Sequence, residues 1–141
     1  MTSPLSRRDV LAAGAAATVA AGAGPAFAQA AVRTKPIPVS KEPLPVIGIG
    51  TAVIFDYEND PAKQAERAEV LKVLTAGGGA LIDTAPSYGK AEDRLGELMA
   101  STGLRSKIFL ATKIPTRGAD RAAQIASMEQ SKVRLKSQTF D

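Results

Sequence analysis

The sequence predicts an α/β fold made of about three βα units with parallel strands. Short runs rich in β-branched residues alternate with longer stretches in which apolar side chains recur at helical spacing. We expect strands at 46–51, 81–83 and 108–113, each followed by a helix. Strands that alternate with helices in this way pair in parallel through right-handed crossovers. Functional side chains are then expected where the strands end, at the carboxyl edge of the sheet.

Composition excludes several kinds of function. The chain has 141 residues, enough for one domain of ordinary size. It contains no cysteine, so neither a disulfide framework nor thiol catalysis is expected. Histidine is also absent, and we therefore expect no zinc or non-haem iron site. The formal net charge is +4, but charges of both signs are interleaved, so no nucleic-acid partner is expected.

Residues 1–28 read as a targeting segment. The stretch Ser6–Leu11 (SRRDVL) resembles the twin-arginine export motif, an alanine-rich apolar run follows, and Ala26–Ala28 forms an A-x-A cleavage site. The apolar run is too short to span ~30 Å of hydrocarbon, so stable membrane insertion is not expected. The resemblance implies the twin-arginine export machinery as a partner and a periplasmic or exported location. A membrane anchor, or a chance arginine pair before an alanine-rich helix, is the alternative.

Residues 29–45 are polar and rich in proline. Proline lacks an amide donor, which excludes a central strand here and favours turns or edges. The segment is interpreted either as a linker or as a small hairpin around 40–43.

The first βα unit begins at 46–51 (VIGIGT), where the G-x-G alone is a weak signal for nucleotide binding. Asn59-Asp60-Pro61 is a typical helix start, with a capping side chain followed by proline. We expect the helix to bury a stripe formed by Val70, Val73 and Leu74. The glycines at 77–79 are expected to end it through positive φ angles.

The second and third units follow the same plan. A helix is expected from Glu92 to Gly103, and another from about Asp120 to Lys136. The inward side chains of the latter are predicted to be Ile125, Met128 and Leu135.

Three side chains at successive strand ends suit carbonyl reduction. Asp83 leaves the second strand, Tyr88 lies five residues further on in a loop, and Lys113 ends the third strand. Reducing a carbonyl needs a hydride, which comes from a nicotinamide, and a proton donor beside the developing alkoxide. An ammonium favours the phenolate form of a nearby tyrosine and so makes the phenol a better acid. An aspartate next to the lysine would fix its position and keep it charged. Alternatively, Asp83 caps a turn, Tyr88 packs and Lys113 is solvated.

The stretch Gly77–Gly96 (GGGALIDTAPSYGKAEDRLG), together with Thr112-Lys113, resembles the aldo/keto reductase signature, and the match runs from about residue 37 to 141. The resemblance implies the N-terminal part of a (β/α)8 TIM barrel. It also implies that Asp83, Tyr88 and Lys113 are three of four catalytic residues. The fourth is a histidine in that family, and this chain has none. Ile47, Leu81 and Leu110 are expected to face the barrel interior.

The same resemblance implies a cofactor, NADP or alternatively NAD, and a small-molecule carbonyl substrate. Gly50 and Thr51 correspond to residues beside the nicotinamide, and Asp83 is also expected to contact the cofactor. Ala52 stands where the family usually has an aromatic residue on the substrate side.

A complete barrel takes ~250 residues, so residues 46–141 are expected to form an incomplete one, and reductase activity of the 141-residue chain alone is not expected. The alternative function is a truncated, inactive fragment, or an exported binding module that keeps the scaffold. The intact set of Asp83, Tyr88 and Lys113 favours the reductase.

Overall fold

The computed structural model describes residues 32–115 and 117–141, so the predicted export motif and cleavage site lie outside the described residues. Within these ranges the chain forms a two-stranded sheet, a three-stranded sheet and three α-helices. The elements in order are β1 (Thr34–Pro36), β2 (Pro43–Pro45), β3 (Gly48–Gly50), α1 (Pro61–Ala76), β4 (Leu81–Asp83), α2 (Ala91–Thr102), a 3-10 helix (Arg105–Lys107), β5 (Phe109–Ala111) and α3 (Arg121–Arg134).

Strands β1 and β2 form a hairpin, the second of the two interpretations offered for the proline-rich segment. They pair antiparallel, with Thr34 opposite Pro45 and Pro36 opposite Pro43. Prolines are tolerated because each strand of a two-stranded sheet has a free edge that needs no amide donor. A cavity of about 850 Å³ separates the hairpin from the beginnings of β4 and β5. The hairpin therefore lies at the end of the sheet opposite the strand ends where chemistry was predicted.

The second sheet has the order β3-β4-β5, and both strand pairs are parallel as predicted. Ile82 lies between Ile49 and Leu110 in the register, and both Ile82 and Leu110 are fully buried in the hydrophobic core. Leu81 pairs instead with Phe109. Residues that pair across two strands share a face of the sheet, and neighbours along one strand point to opposite faces. Leu110 therefore lies on the core face with Ile82, and the prediction that Leu110 faces the barrel interior is wrong. Phe109 takes that place beside Leu81.

Helix α1 begins where the sequence predicts, but the side chains that it buries differ from the predicted ones. The Asp60 carboxylate accepts hydrogen bonds from two amides of the first turn, and Pro61 is the first helical residue. The buried residue is Leu71, whereas Val73 is 72% exposed, so Val73 does not belong to the inner stripe. Of the terminal glycines, Gly78 has the predicted positive φ, at 79°.

Helices α2 and α3 cross closely. A methyl group added at Gly96 would lie 2.8 Å from the Leu135 Cα and closer still to the Arg134 carbonyl oxygen, distances that real side chains do not adopt. The absence of a side chain at Gly96 therefore lets the end of α3 rest on α2. Helix α2 ends at Gly103 in the left-handed conformation, with φ 68°. No helix within the described ranges is long and apolar enough to cross a membrane.

Helix α3 starts close to its predicted first residue, and the Asp120 carboxylate caps it by accepting from the Ala123 amide. Leu135 is fully buried as expected, but Ile125 is 48% exposed, so its predicted inward position is wrong. The buried residue within the helix is Ser131. A polar side chain therefore occupies the contact surface where an apolar residue was expected.

The segment after α3 returns to β5 and is held there by Arg105. Its guanidinium donates to the Ser137 hydroxyl at 2.8 Å, to the Thr139 carbonyl at 2.9 Å and to the Asp141 carboxylate at 2.9 Å. The Asp141 amide in turn donates to the Leu110 carbonyl at 3.0 Å. Residues 137–141 thus lie along the outer edge of β5.

Candidate active site

Asp83 is the last residue of β4, level in the register with Gly50 on β3 and Ala111 on β5. Its carbonyl oxygen accepts two hydrogen bonds from Thr51, from the amide at 3.0 Å and from the hydroxyl at 3.1 Å. These bonds fix the backbone at the point where the Asp83 side chain leaves the sheet.

Lys113 reaches Asp83 from the neighbouring strand end. Its ammonium nitrogen lies 2.8 and 2.7 Å from the two carboxylate oxygens and donates to the Thr84 carbonyl at 3.1 Å. Both side chains are 47% exposed, so the pair can meet a ligand without a change of fold. The juxtaposition predicted from strand ends 30 residues apart is present.

The surroundings of Lys113 favour its charged form. Partial burial lowers the pKa of Lys113, but the neighbouring Asp83 carboxylate and Tyr88 phenol outweigh this effect and hold the pKa above its ordinary value of 10.5. The amine is therefore an ammonium throughout the neutral range.

Tyr88 lies in the loop between β4 and α2, with its ring packed against the core cluster. The Lys113 nitrogen is 4.8 Å from the centroid of this ring. The loop is braced on both sides, because the Tyr88 amide donates to the Ala85 carbonyl and the Ala91 amide to the Tyr88 carbonyl. The three predicted catalytic side chains therefore form one group.

The predicted cofactor residues differ in what they offer a ligand. A methyl group added at Gly50 would meet nothing within 4 Å, so space is open beside the strand end level with Asp83. Thr51 is fully buried, and its hydroxyl donates to the Asp83 backbone, so it acts on the site through Asp83. The half-exposed Asp83 carboxylate can accept from the amide and hydroxyl groups of a nicotinamide nucleotide. Gly50 and Asp83 thus fit such a cofactor.

A recess of about 360 Å³ opens next to Lys113, within the size range of small-molecule sites. It is lined by Pro86, Ser87, Lys113, Ile114, Pro115 and Arg117. The apolar walls and the cationic rim lie on the same side of the sheet as the Asp83–Lys113 pair. Among the described residues there is no cluster of three or more acidic side chains that would suit a metal ion.

Glu92, interpreted from the sequence as a helix start within the reductase signature, is a buried acid at the centre of a polar network. It is 1% exposed and lies 2.7 Å from the Arg134 guanidinium. Its other oxygen accepts from the Thr112 hydroxyl at 2.7 Å, and Ser131 donates to the same oxygen as Arg134, at 3.1 Å. These partners lie 20 to 42 residues from Glu92 in the sequence. The periodicity of apolar residues along a helix does not indicate hydrogen bonds over such separations.

The parallel βα units, with an acid, a phenol and an amine at the carboxyl edge of the sheet, resemble part of a (β/α)8 barrel. The sequence model of the Aldo/keto reductase family matches residues 46–141. The chain belongs to this family.

Individual relatives agree with the assignment. An aldo-keto reductase of Mycobacterium avium is 39% identical over 74 residues, which are 52% of this chain and 23% of that protein. The aldo/keto reductase of Klebsiella pneumoniae, solved in complex with NADP and acetate, superposes with a TM-score of 0.62 at 27% identity, covering 79% of this chain and 37% of that one. The aldo/keto reductase of Brucella melitensis gives a TM-score of 0.61 at 28% identity, with 78% and 39% covered. The chain thus spans about a quarter of the length of the curated relatives it matches.

Proposed function

We propose that the protein carrying this chain reduces aldehydes or ketones to alcohols with NADPH. The observation that carries the proposal is the single ammonium of Lys113, which binds the Asp83 carboxylate and lies 4.8 Å from the centre of the Tyr88 ring. A binding module that merely reused the scaffold would have little need for a half-exposed ion pair beside a tyrosine.

Each of the three side chains has a distinct part in the proposed reaction. Bound nicotinamide supplies the hydride. Tyr88 donates its phenolic proton to the carbonyl oxygen as negative charge develops there. The positive charge of Lys113 stabilises the negative charge left on the phenol oxygen. Asp83 holds the ammonium in place and keeps it charged.

We assign the nicotinamide end of the cofactor to the open space beside Gly50 and to the Asp83 carboxylate. Thr51 supports this arrangement through its two hydrogen bonds to the Asp83 carbonyl. NADP is proposed in preference to NAD because the Klebsiella pneumoniae relative was solved with NADP. The substrate carbonyl would enter from the recess next to Lys113.

Export through the twin-arginine route is part of the proposal. The motif at Arg7-Arg8 and the reductase residues occur in one chain. This route carries folded proteins, so the enzyme can bind its cofactor before it leaves the cytoplasm, where nicotinamide nucleotides are available.

The test uses the full-length protein, since this chain spans 37% to 39% of the solved relatives described above. NADPH consumption is followed by absorbance while short-chain aldehydes, aromatic aldehydes and ketones are supplied in turn. Turnover that depends on both NADPH and the carbonyl supports the proposal. Tight NADPH binding without turnover of any carbonyl would favour the binding-module alternative.

A further inference from the structure

The Glu92 carboxylate is connected to both loops that supply the proposed catalytic group. It lies in the first turn of α2, four residues after Tyr88, and the Ala91 amide at the start of that helix bonds the Tyr88 carbonyl. On the other side, Glu92 accepts at 2.7 Å from the hydroxyl of Thr112, the residue directly before Lys113. One buried side chain thus spans the gap between the two loops.

The carboxylate is itself held rigidly from the side away from the site. The Arg134 Nε donates to one Glu92 oxygen, and the Ser131 hydroxyl donates to that oxygen as well. A second Arg134 nitrogen lies 2.7 Å from the same oxygen and donates to the Ser131 hydroxyl. Within the described ranges, the other Glu92 oxygen accepts a hydrogen bond from the Thr112 hydroxyl alone. A buried charge fixed by several donors has little freedom to follow a moving loop.

We propose that Glu92 is a positioning residue that sets Lys113 against Tyr88 through the Thr112 hydroxyl. Since Thr112 and Lys113 are adjacent, fixing the Thr112 side chain fixes the point from which the Lys113 side chain leaves the sheet. The effect of this positioning on catalysis rests on the proposed function. The positioning itself is a property of residues in this chain and can be measured without any activity.

The hydroxyl of Thr112 offers a clean way to test the connection. Thr112→Val keeps the shape of the side chain and leaves the Glu92–Arg134 pair intact. Thr112→Ser keeps the hydroxyl and is the conservative rescue. Thr102→Val is the matched control, because the Thr102 hydroxyl donates to the Leu98 carbonyl at the far end of α2.

The first readout is the titration of Lys113 in the full-length protein, followed through its ¹³Cε NMR signal, which is assigned by its loss in Lys113→Met. In Thr112→Val we expect the titration midpoint to fall toward the ordinary value of 10.5, since the ammonium is held less firmly by Asp83. Thr112→Ser and Thr102→Val should titrate as the parent protein does. This readout needs no enzymatic activity, so it stands even if the proposed function fails.

The second readout is NADPH-dependent carbonyl reduction. Misplacing Lys113 should lower kcat about 10-fold to 100-fold in Thr112→Val with little change in KM, and Thr112→Ser should restore most of it. A folded Thr112→Val or Thr112→Ala protein whose Lys113 titrates at the parent midpoint overturns the proposal. Loss of the fold in both variants overturns it as well, because the bond would then serve the stability of the whole domain. A shifted midpoint without any turnover in the parent protein supports the positioning and rejects the proposed reaction.

Discussion

The ammonium nitrogen of Lys113 lies 4.8 Å from the centre of the Tyr88 ring while it binds both carboxylate oxygens of Asp83. A cation at this distance from an aromatic face is attracted to it and acts on any charge that the ring acquires. The acid, the phenol and the amine therefore behave as one electrostatic unit, in which a change at one member alters the other two.

Removing the phenol oxygen should remove the proton donor and little else. In the full-length protein, Tyr88→Phe is expected to lower kcat for carbonyl reduction by ~10²–10⁴-fold, the usual contribution of a positioned general acid. Cofactor affinity, measured by fluorescence titration with NADPH, should change little. The matched control is Tyr57→Phe, since the Tyr57 hydroxyl bonds Gln64 outside the site. Parent-like turnover in Tyr88→Phe would exclude the acid role.

Lys113→Met is expected to lower kcat at least as much as Tyr88→Phe. The change removes the positive charge beside the phenol and leaves the Asp83 carboxylate without its cation. The rate of NADPH consumption at saturating substrate measures the effect. Lys72→Met is the control, because it breaks a lysine–glutamate pair on the outer surface of α1. Equal rates in the two variants would mean that Lys113 is not part of the reaction.

The Lys113–Asp83 pair should stabilise the fold at neutral pH and cease to do so in alkali. The pKa of Lys113 lies above its unfolded value of 10.5, so its contribution is fully present below pH 10.5 and is lost as pH rises through the folded pKa. The melting temperatures of the parent protein and Lys113→Met should therefore converge above about pH 10.5. Burial also raises the pKa of Tyr57, but that effect is common to both proteins and cancels in the comparison. A difference that widens in alkali would contradict the assignment.

Gly96→Ala should destabilise the domain by about 1–3 kcal/mol, the cost of overpacking a close contact. The new methyl group would collide with the Arg134 and Leu135 backbone, which cannot rotate away as a side chain can. Urea denaturation followed by circular dichroism measures the change. Gly50→Ala is the stability control, because its methyl group enters open space and should cost no more than about 0.5 kcal/mol. Equal midpoints would refute the close crossing of α2 and α3.

Replacing Arg7 and Arg8 together by Lys should block export while the A-x-A site at 26–28 stays intact. The charge is preserved, so any loss is specific to the arginine pair. Cell fractionation and immunoblotting show whether precursor accumulates in the cytoplasm. Replacing Arg117 and Arg121 by Lys, outside the motif, serves as the control. Mature periplasmic protein in the Arg7/Arg8 variant would show that another route is used.

The sequence predicted the candidate site well where its residues lie at the ends of neighbouring strands. Parallel strands bring their carboxyl ends to one edge, so residues that end successive strands, such as Asp83 and Lys113, could be expected to meet. The resemblance to the reductase signature added Tyr88. Local signals were equally reliable at helix termini, where Asp60 caps α1 as predicted and Asp120 and Gly103 lie at the predicted boundaries of their helices.

The sequence was less informative where several elements compete for one surface. Leu110 and Phe109 are both apolar, and only the register with β4 decides which of them faces the helices. The exposure of Val73 and Ile125 depends likewise on how the helices are rotated about their axes, which weak periodicity leaves open. The partners of Glu92 come from β5 and α3, and nothing in the local sequence specifies them.

The Arg105 contacts also have a consequence for the order in which the molecule folds. The partners that Arg105 holds lie 32 to 36 residues further along the chain. Closing a loop of that length costs entropy before any contact compensates for it, and long-range closures of this kind slow folding. During synthesis these Arg105 contacts can therefore form only after Asp141 has left the ribosome. The first two units have by then been available to associate for the time that some thirty residues take to be translated, ~2–6 s at the usual rates of synthesis.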